Sequence, residues 1–260
     1  LIVGNEVALR GDIPLPSLIA YLDQVRAAVE QPVSTAEPWH VWLRHPELAD
    51  HVDYLAVHML PYWEGISAEA SIDYIDARLA ELEAAFPGKK IILTEVGWPS
   101  NGRTREAAVA SEANEAMFLR RFLARASERG YVYYLMEAFD QPWKAQSEGS
   151  VGAYWGVWNV HREAKFPFRA PIVRIPEWRT LAAAAVALAL LLFAAVSLDG
   201  RRLANPGRSF LAVVAYATAT SVVWLLYEYS QQYMTATTVV VGLLLFLGTI
   251  GVITVLLAEA

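Results

Sequence analysis

The stretch Ile91-Ile92-Leu93-Thr94-Glu95-Val96-Gly97-Trp98-Pro99-Ser100 decides how the rest of the chain is read. A short apolar run delivers a carboxylate at its end, and Gly97 to Ser100 then turn the chain. The opening residues Leu1-Ile2-Val3-Gly4-Asn5-Glu6 have the same form. Each reads as a buried strand with a glutamate at its C-terminal end. Two carboxylates across one sugar-sized gap are what glycosidic bond cleavage requires. One gives a proton to the leaving oxygen, and the other attacks or screens the anomeric carbon.

Working outward, Leu18, Leu22, Val25 and Val29 recur at helical spacing, which predicts a helix over 16–30. Strands are expected at 33–36 and 52–58. Ile72, Ile75, Leu79 and Leu82 mark a second helix, ended by Pro87-Gly88. A strand at 91–95 precedes a long helix over 104–129, with Phe118, Leu119, Phe122 and Leu123 facing inward and Gly130 closing it. A last strand follows at 132–137. Alternating strands and helices imply an α/β fold with a parallel sheet. Functional residues after strand ends suit either a (β/α)₈ barrel or a doubly wound sheet. No glycine-rich phosphate loop follows any strand, which weighs against nucleotide binding. Five strands do not close an eight-stranded barrel, and the first residue already sits in a strand. The reading is therefore a fragment whose first three βα units precede Leu1, inactive alone because its strand edges are open.

Composition divides the chain. The formal net charge of -6 belongs mainly to residues 1–168. Mild acidity argues against a nucleic-acid surface. There is no cysteine, so disulfides and thiolate metal sites are excluded, and no His or Asp spacing suggests a metal. Beyond a stiff linker at 169–180, residues 181–260 read as a transmembrane region with spans at 181–198, 210–227 and 238–258. The first is 18 residues long, roughly 27 Å as a helix, near the thickness of a bilayer core. Trp178, Tyr227, Tyr229 and Tyr233 suit interfacial anchoring. Arg201, Arg202 and Arg208 place the first loop in the cytoplasm, whereas Arg169, Arg174 and Arg179 pull the other way. The soluble part is expected outside, where polymeric sugars are met.

Four stretches then carry a specific resemblance: Val3-Gly4-Asn5-Glu6, His58-Met59-Leu60-Pro61-Tyr62, Thr94 to Ser100, and Glu137-Ala138-Phe139-Asp140-Gln141-Pro142-Trp143-Lys144 with Glu148. Residues 1–168 resemble the C-terminal part of a glycoside hydrolase family 17 domain, strands four to eight of a (β/α)₈ barrel. The resemblance implies a retaining β-1,3-glucan hydrolase or transglucosylase without organic cofactor. It makes Glu6 the acid/base, which needs a raised pKa, and Glu95 the nucleophile, which must stay ionised. Asn5 would hydrogen-bond the sugar 2-OH. Glu137 and Lys144 sit near the glycone hydroxyls, or form a structural ion pair, and Glu148 is similar. Tyr62, Trp63, Trp98 and Trp143 are candidate platforms for pyranose faces, Trp98 foremost, while Trp155 and Trp158 read as packing. His58 stands where plant members carry an amide, and Leu60 where they carry a tyrosine. His58 either touches substrate or is a satisfied strand-end histidine.

Family 17 domains followed by membrane spans are similar to bacterial membrane-bound β-glucan synthases. That implies a multi-pass inner-membrane protein with its barrel on the periplasmic side and a glycosyltransferase domain as partner. The rival is a non-catalytic glucan-binding module or a truncated remnant.

Overall fold

The computed structural model describes residues 1–198 and 205–232, with isolated positions between 240 and 251. It divides into two compact units, Leu1–Ile172 and Val173–Ala260.

The first unit is built on five strands: β1 (Ile2–Asn5), β2 (Ser34–Pro38), β3 (Tyr54–Met59), β4 (Lys90–Val96) and β5 (Tyr133–Leu135). Helices connect them: α1 (Val7–Arg10) and α2 (Leu15–Ala28), α3 (Trp39–Arg44), α4 (Ser71–Ala85), and α5 (Glu112–Arg129). A short helix, α6 (Ala145–Glu148), follows β5. All pairings are parallel and the order is β1-β2-β3-β4-β5. A doubly wound sheet reverses its order at a switch point; a barrel does not. The sequential order therefore removes the doubly wound alternative.

The central strands are buried on both faces, as a sheet with helices outside requires. Leu55, Ala56, Val57 and Met59 of β3 are wholly buried. The helices cover the sheet with the residues whose spacing predicts them: Leu18 and Leu22 of α2, Ile72, Ile75, Leu79 and Leu82 of α4, and Phe118, Leu119 and Phe122 of α5. Burying each such side chain contributes about 1.5–3 kcal/mol. Val25, Val29 and Leu123 are only half-buried, at the flanks of those faces.

Most expected boundaries shift by one or two residues, and three shifts bear on the site or on the long helix. The long helix begins at Glu112, not 104, because the Ser111 side chain accepts the Asn114 amide at 3.1 Å and caps it there. Residues 101–110 form a loop instead. β2 extends through Glu37 to Pro38, so its end carries a third carboxylate. β5 stops at Leu135, short of Glu137.

A buried ionic cluster ties the loops beyond the strand ends together. Lys165 Nζ lies 2.8 Å from Asp140 Oδ1, 2.7 Å from Ser100 Oγ and 3.3 Å from Glu115 Oε2. Asp140 in turn accepts the Gly156 amide at 2.9 Å.

In the second unit, α7 (Trp178–Leu198) and α8 (Asn205–Gln232) pack on each other. Ala185 and Ala189 of α7 and Leu211, Ala215, Ala219 and Val222 of α8 are buried, at a spacing that puts each set on one helix face. By length and composition two stretches could cross a membrane, Trp178–Ser197 and Asn205–Ser230. Both helices outrun the apolar runs 181–198 and 210–227, because a helix continues through polar residues whose backbone bonds are internal. α7 accordingly begins at Trp178, inside the stretch 169–180 expected as linker. The third expected span, 238–258, lies outside the described residues apart from isolated positions.

Candidate active site

The ends of β1, β3 and β4 converge on one cleft of about 460 Å³. Glu6, His58, Glu95 and Glu148 line it, with Trp39, His40, Leu60, Trp63 and Glu64 along its walls.

Local sequence explains each placement. Gly4 holds φ +91°, and a Cβ there would stand 2.7 Å from Val7 Cγ2, so glycine lets β1 turn into α1. Glu6 occupies the N-cap of α1 in the left-handed region, φ 55° and ψ 30°. A register shift between Val57 and His58 sets His58 opposite Glu95; an irregularity of this kind re-aims side chains at strand ends. Gly97 is required by close approach, since a Cβ would fall 2.0 Å from the Met136 carbonyl oxygen.

His58 is 2% exposed and joins the two carboxylates. Its Nδ1 lies 3.0 Å from Glu6 Oε1 and 3.6 Å from Glu95 Oε2. One oxygen from each glutamate and a ring nitrogen of His58 fall within 4.8 Å of one another, a grouping that could also gather round a cation. Retaining glycosidases hold their carboxyls about 5–5.5 Å apart and inverting ones about 6.5–9.5 Å apart. Carboxylate oxygens that approach within 4.8 Å are compatible with the retaining range.

The electrostatics invert the expected order. The hydrogen bond from His58 holds Glu6 below the usual carboxylate range, against the opposing effect of burial. Burial pushes Glu95 up, with His58 opposing and the Glu6 charge assisting. Glu6 therefore lacks the raised pKa expected of it, because its histidine contact outweighs its desolvation.

The structure separates the remaining candidates. Trp98 and Tyr62 are both 1% exposed and belong to the core, not the cleft wall. Trp98 Nε1 donates to the Val109 carbonyl at 3.1 Å, and the Tyr62 hydroxyl donates to the Arg103 carbonyl. Rings so enclosed present no face to a sugar. Tyr62 packs edge-on against Trp98 on one side and against Trp63, which does line the cleft, on another. Trp155 is wholly buried beside them, as packing predicts. Trp143 is 65% exposed outside the cleft lining, its Nε1 bonded to Gln141. Glu137 and Lys144 form an ion pair at 2.8 Å, half-buried, and Glu137 Oε1 has no protein partner. Asn5 is exposed at the end of β1. Burial raises the pKa of Glu148.

Sequence reasoning missed Glu37, Trp39, His40 and Glu64. Glu37 also closes a short expected strand, but Ser34 and Thr35 interrupt its apolar run, so its signal was weaker than that of Glu6 or Glu95. Trp39 and His40 directly follow that strand end.

A family model for the BtgE/BtgC glycoside hydrolase domain matches residues 1–156. A cell surface mannoprotein of Candida albicans is 29% identical over 164 residues, 60% of this chain and 43% of its own length. A probable family 17 glucosidase of Saccharomyces cerevisiae is 32% identical over 163 residues, 60% of this chain and 41% of its own. The crystal structure of a glycoside hydrolase family 17 β-1,3-glucanosyltransferase from Rhizomucor miehei superposes with a TM-score of 0.58 at 34% identity, covering 64% of this chain and 61% of that one. The chain thus spans less than two thirds of the length of each of these relatives. With the match extending over residues 1–156 of 260, the chain belongs to the BtgE/BtgC glycoside hydrolase domain family.

Proposed function

We propose that this chain carries the catalytic pair of a retaining β-1,3-glucan-active enzyme, a glycosidase or transglucosylase. The observation that carries this reading is the meeting of Glu6 and Glu95 across His58, at a spacing suited to double displacement. In the first step a Glu95 oxygen attacks the anomeric carbon. The bond to the leaving oxygen breaks, and that oxygen takes a proton from Glu6. In the second step Glu6 removes a proton from water or from a sugar hydroxyl. The resulting oxygen attacks the glycosyl ester and releases Glu95 as carboxylate. Trp39 and Trp63 provide flat apolar walls for pyranose rings, and Glu148 with the Glu137–Lys144 pair provides polar contacts at one end. The β-1,3-glucan assignment is supported by likeness to the Rhizomucor miehei β-1,3-glucanosyltransferase.

A second reading exchanges the two roles. The lowered Glu6 and raised Glu95 favour it, since a nucleophile stays ionised and an acid keeps its proton.

We read the sheet of the first unit as part of a (β/α)₈ barrel, and α7 and α8 as bilayer anchors. Sequential strand order and the length of the two apolar helices support this. The named relatives are fungal and one is a cell surface protein, so kinship with bacterial glucan synthases and a glycosyltransferase partner draws no support from them.

The test uses the full-length protein in detergent with β-1,3-gluco-oligosaccharides, followed by mass spectrometry. Products longer than the input indicate transfer, and only shorter ones indicate hydrolysis. Azide added to Glu6→Ala and Glu95→Ala variants assigns the roles. The acid/base variant yields the β-glycosyl azide, and the nucleophile variant yields the α-anomer. A folded wild-type protein that turns over nothing sinks the enzyme reading and leaves a glucan-binding module. Resistance to alkaline carbonate extraction checks the anchor; release into the soluble fraction refutes it.

A further inference from the structure

Glu37 has no place in the mechanism above, yet it is a wholly buried carboxylate in a neighbouring strand. Its Oε1 accepts the Ala8 amide at 2.8 Å and its Oε2 accepts the Leu9 amide at 3.1 Å. Those are the second and third residues of α1, whose amides have no partner within the helix. Ordinarily the side chain of the N-cap residue itself accepts them. Here the N-cap is Glu6, and its side chain makes no capping bond. It reaches His58 instead. Glu6 also holds a left-handed backbone, which persists only where its surroundings over-determine it. The surroundings that do so lie on β2. The Glu6 amide donates to the Ala36 carbonyl at 2.7 Å, and the next residue, Glu37, grips the two amides beyond.

We propose that Glu37 is a positioning residue that caps α1 in place of Glu6, and so leaves the Glu6 carboxylate free to serve the cleft. Without Glu37, the unpartnered amides of Ala8 and Leu9 recruit the Glu6 carboxylate as their cap, and it turns away from His58 and the substrate. This rests on Glu6 being the acid/base. Glu37 is absent from the cleft lining, so it acts by holding Glu6 and not by touching substrate.

The test is leaving-group dependence. The full-length protein and its Glu37→Gln and Glu37→Asp variants are assayed for kcat/KM on a β-1,3-gluco-oligosaccharide and on a 2,4-dinitrophenyl β-glycoside of the same sugar. The aryl leaving group needs no proton. The proposal expects kcat/KM on the oligosaccharide to fall about tenfold or more and that on the aryl glycoside less than about threefold, since acid catalysis is worth about 10²–10⁴ in rate. An equal fall on both substrates, or none on either, in variants that melt like wild type, overturns it. Glu37→Asp decides the matter if Glu37→Gln does not fold. The position of the Glu6 carboxylate in a crystal structure of Glu37→Gln separates this proposal from the enzyme reading. If wild type turns over neither substrate, the enzyme reading has failed. A Glu6 carboxylate that stays on His58 in the variant then shows that the clamp has failed too, whereas one turned to the Ala8 and Leu9 amides sustains it.

Discussion

His58 is the residue that lies against both carboxylates. It is buried, 3.0 Å from Glu6 and 3.6 Å from Glu95, and it acts to lower both of their pKa values. Around the same site, Arg10 and His40 also lower Glu6, Lys144 lowers Glu95, and Glu148 raises Glu95. Removing His58 takes a lowering influence from both carboxylates, so both must titrate at higher pH. The prediction for His58→Leu is that both limbs of the bell-shaped kcat/KM profile move to higher pH, whichever glutamate is the acid. A profile that keeps its wild-type limbs would show that His58 is only packing. From the chain alone, His58 was visible as a departure at a strand end, but not as a bridge. The bridge needs β3 to be flanked by β4 and to lie within reach of the β1 end, and only strand order supplies that.

At the scale of elements, β4 shows how a motif follows from packing. Gly97 ends the strand where the Met136 carbonyl of the next βα unit comes so close that a Cβ would stand 2.0 Å from its oxygen. Gly97→Ala must push the β4 end and the β5 loop apart. The expected cost is about 1–3 kcal/mol, with a larger loss of activity than of stability, because Glu95 lies two residues away. Chemical denaturation and kcat measure the two, and a variant unchanged in both removes the packing account of this glycine. The helices were largely legible for a related reason. A face that must cover a sheet repeats every three or four residues, so Leu18 and Leu22, or Ile72, Ile75 and Leu79, announce themselves. The start of α5 was not, because apolar periodicity says nothing of where a serine chooses to cap.

At the scale of the molecule, the loops that frame the cleft are held by charge as well as by apolar contact. Lys165, 5% exposed, sits between Asp140, also 5% exposed, and Glu115 at 1%. Burial holds Glu115 well above the usual carboxylate range despite Lys165. Lys165→Met leaves two buried carboxylates facing one another without a cation. Breaking such a pair costs about 3–5 kcal/mol, so the midpoint of urea unfolding of the first unit should fall accordingly. If the midpoint holds, the cluster contributes little to stability. The mild acidity and the apolar tail were plain from composition. The cluster was not, since its members lie between 25 and 65 residues apart in the pairs that touch.

By itself, the sequence determined the properties that depend on neighbours along the chain: alternating strands and helices, a parallel sheet, glutamates at strand ends, and apolar helices long enough for a bilayer. These are set by side-chain periodicity and local backbone preference, which need no partner from elsewhere. The tertiary structure decided which groups meet. It withdrew Trp98 and Tyr62 into the core, brought Trp39 and Trp63 to the cleft, and joined Glu6 to Glu95 through His58. It also set the directions of their pKa values. Burial and electrostatic coupling act through space, between residues as far apart as Glu6 and Glu95, and such distances are created only when the strands are laid side by side.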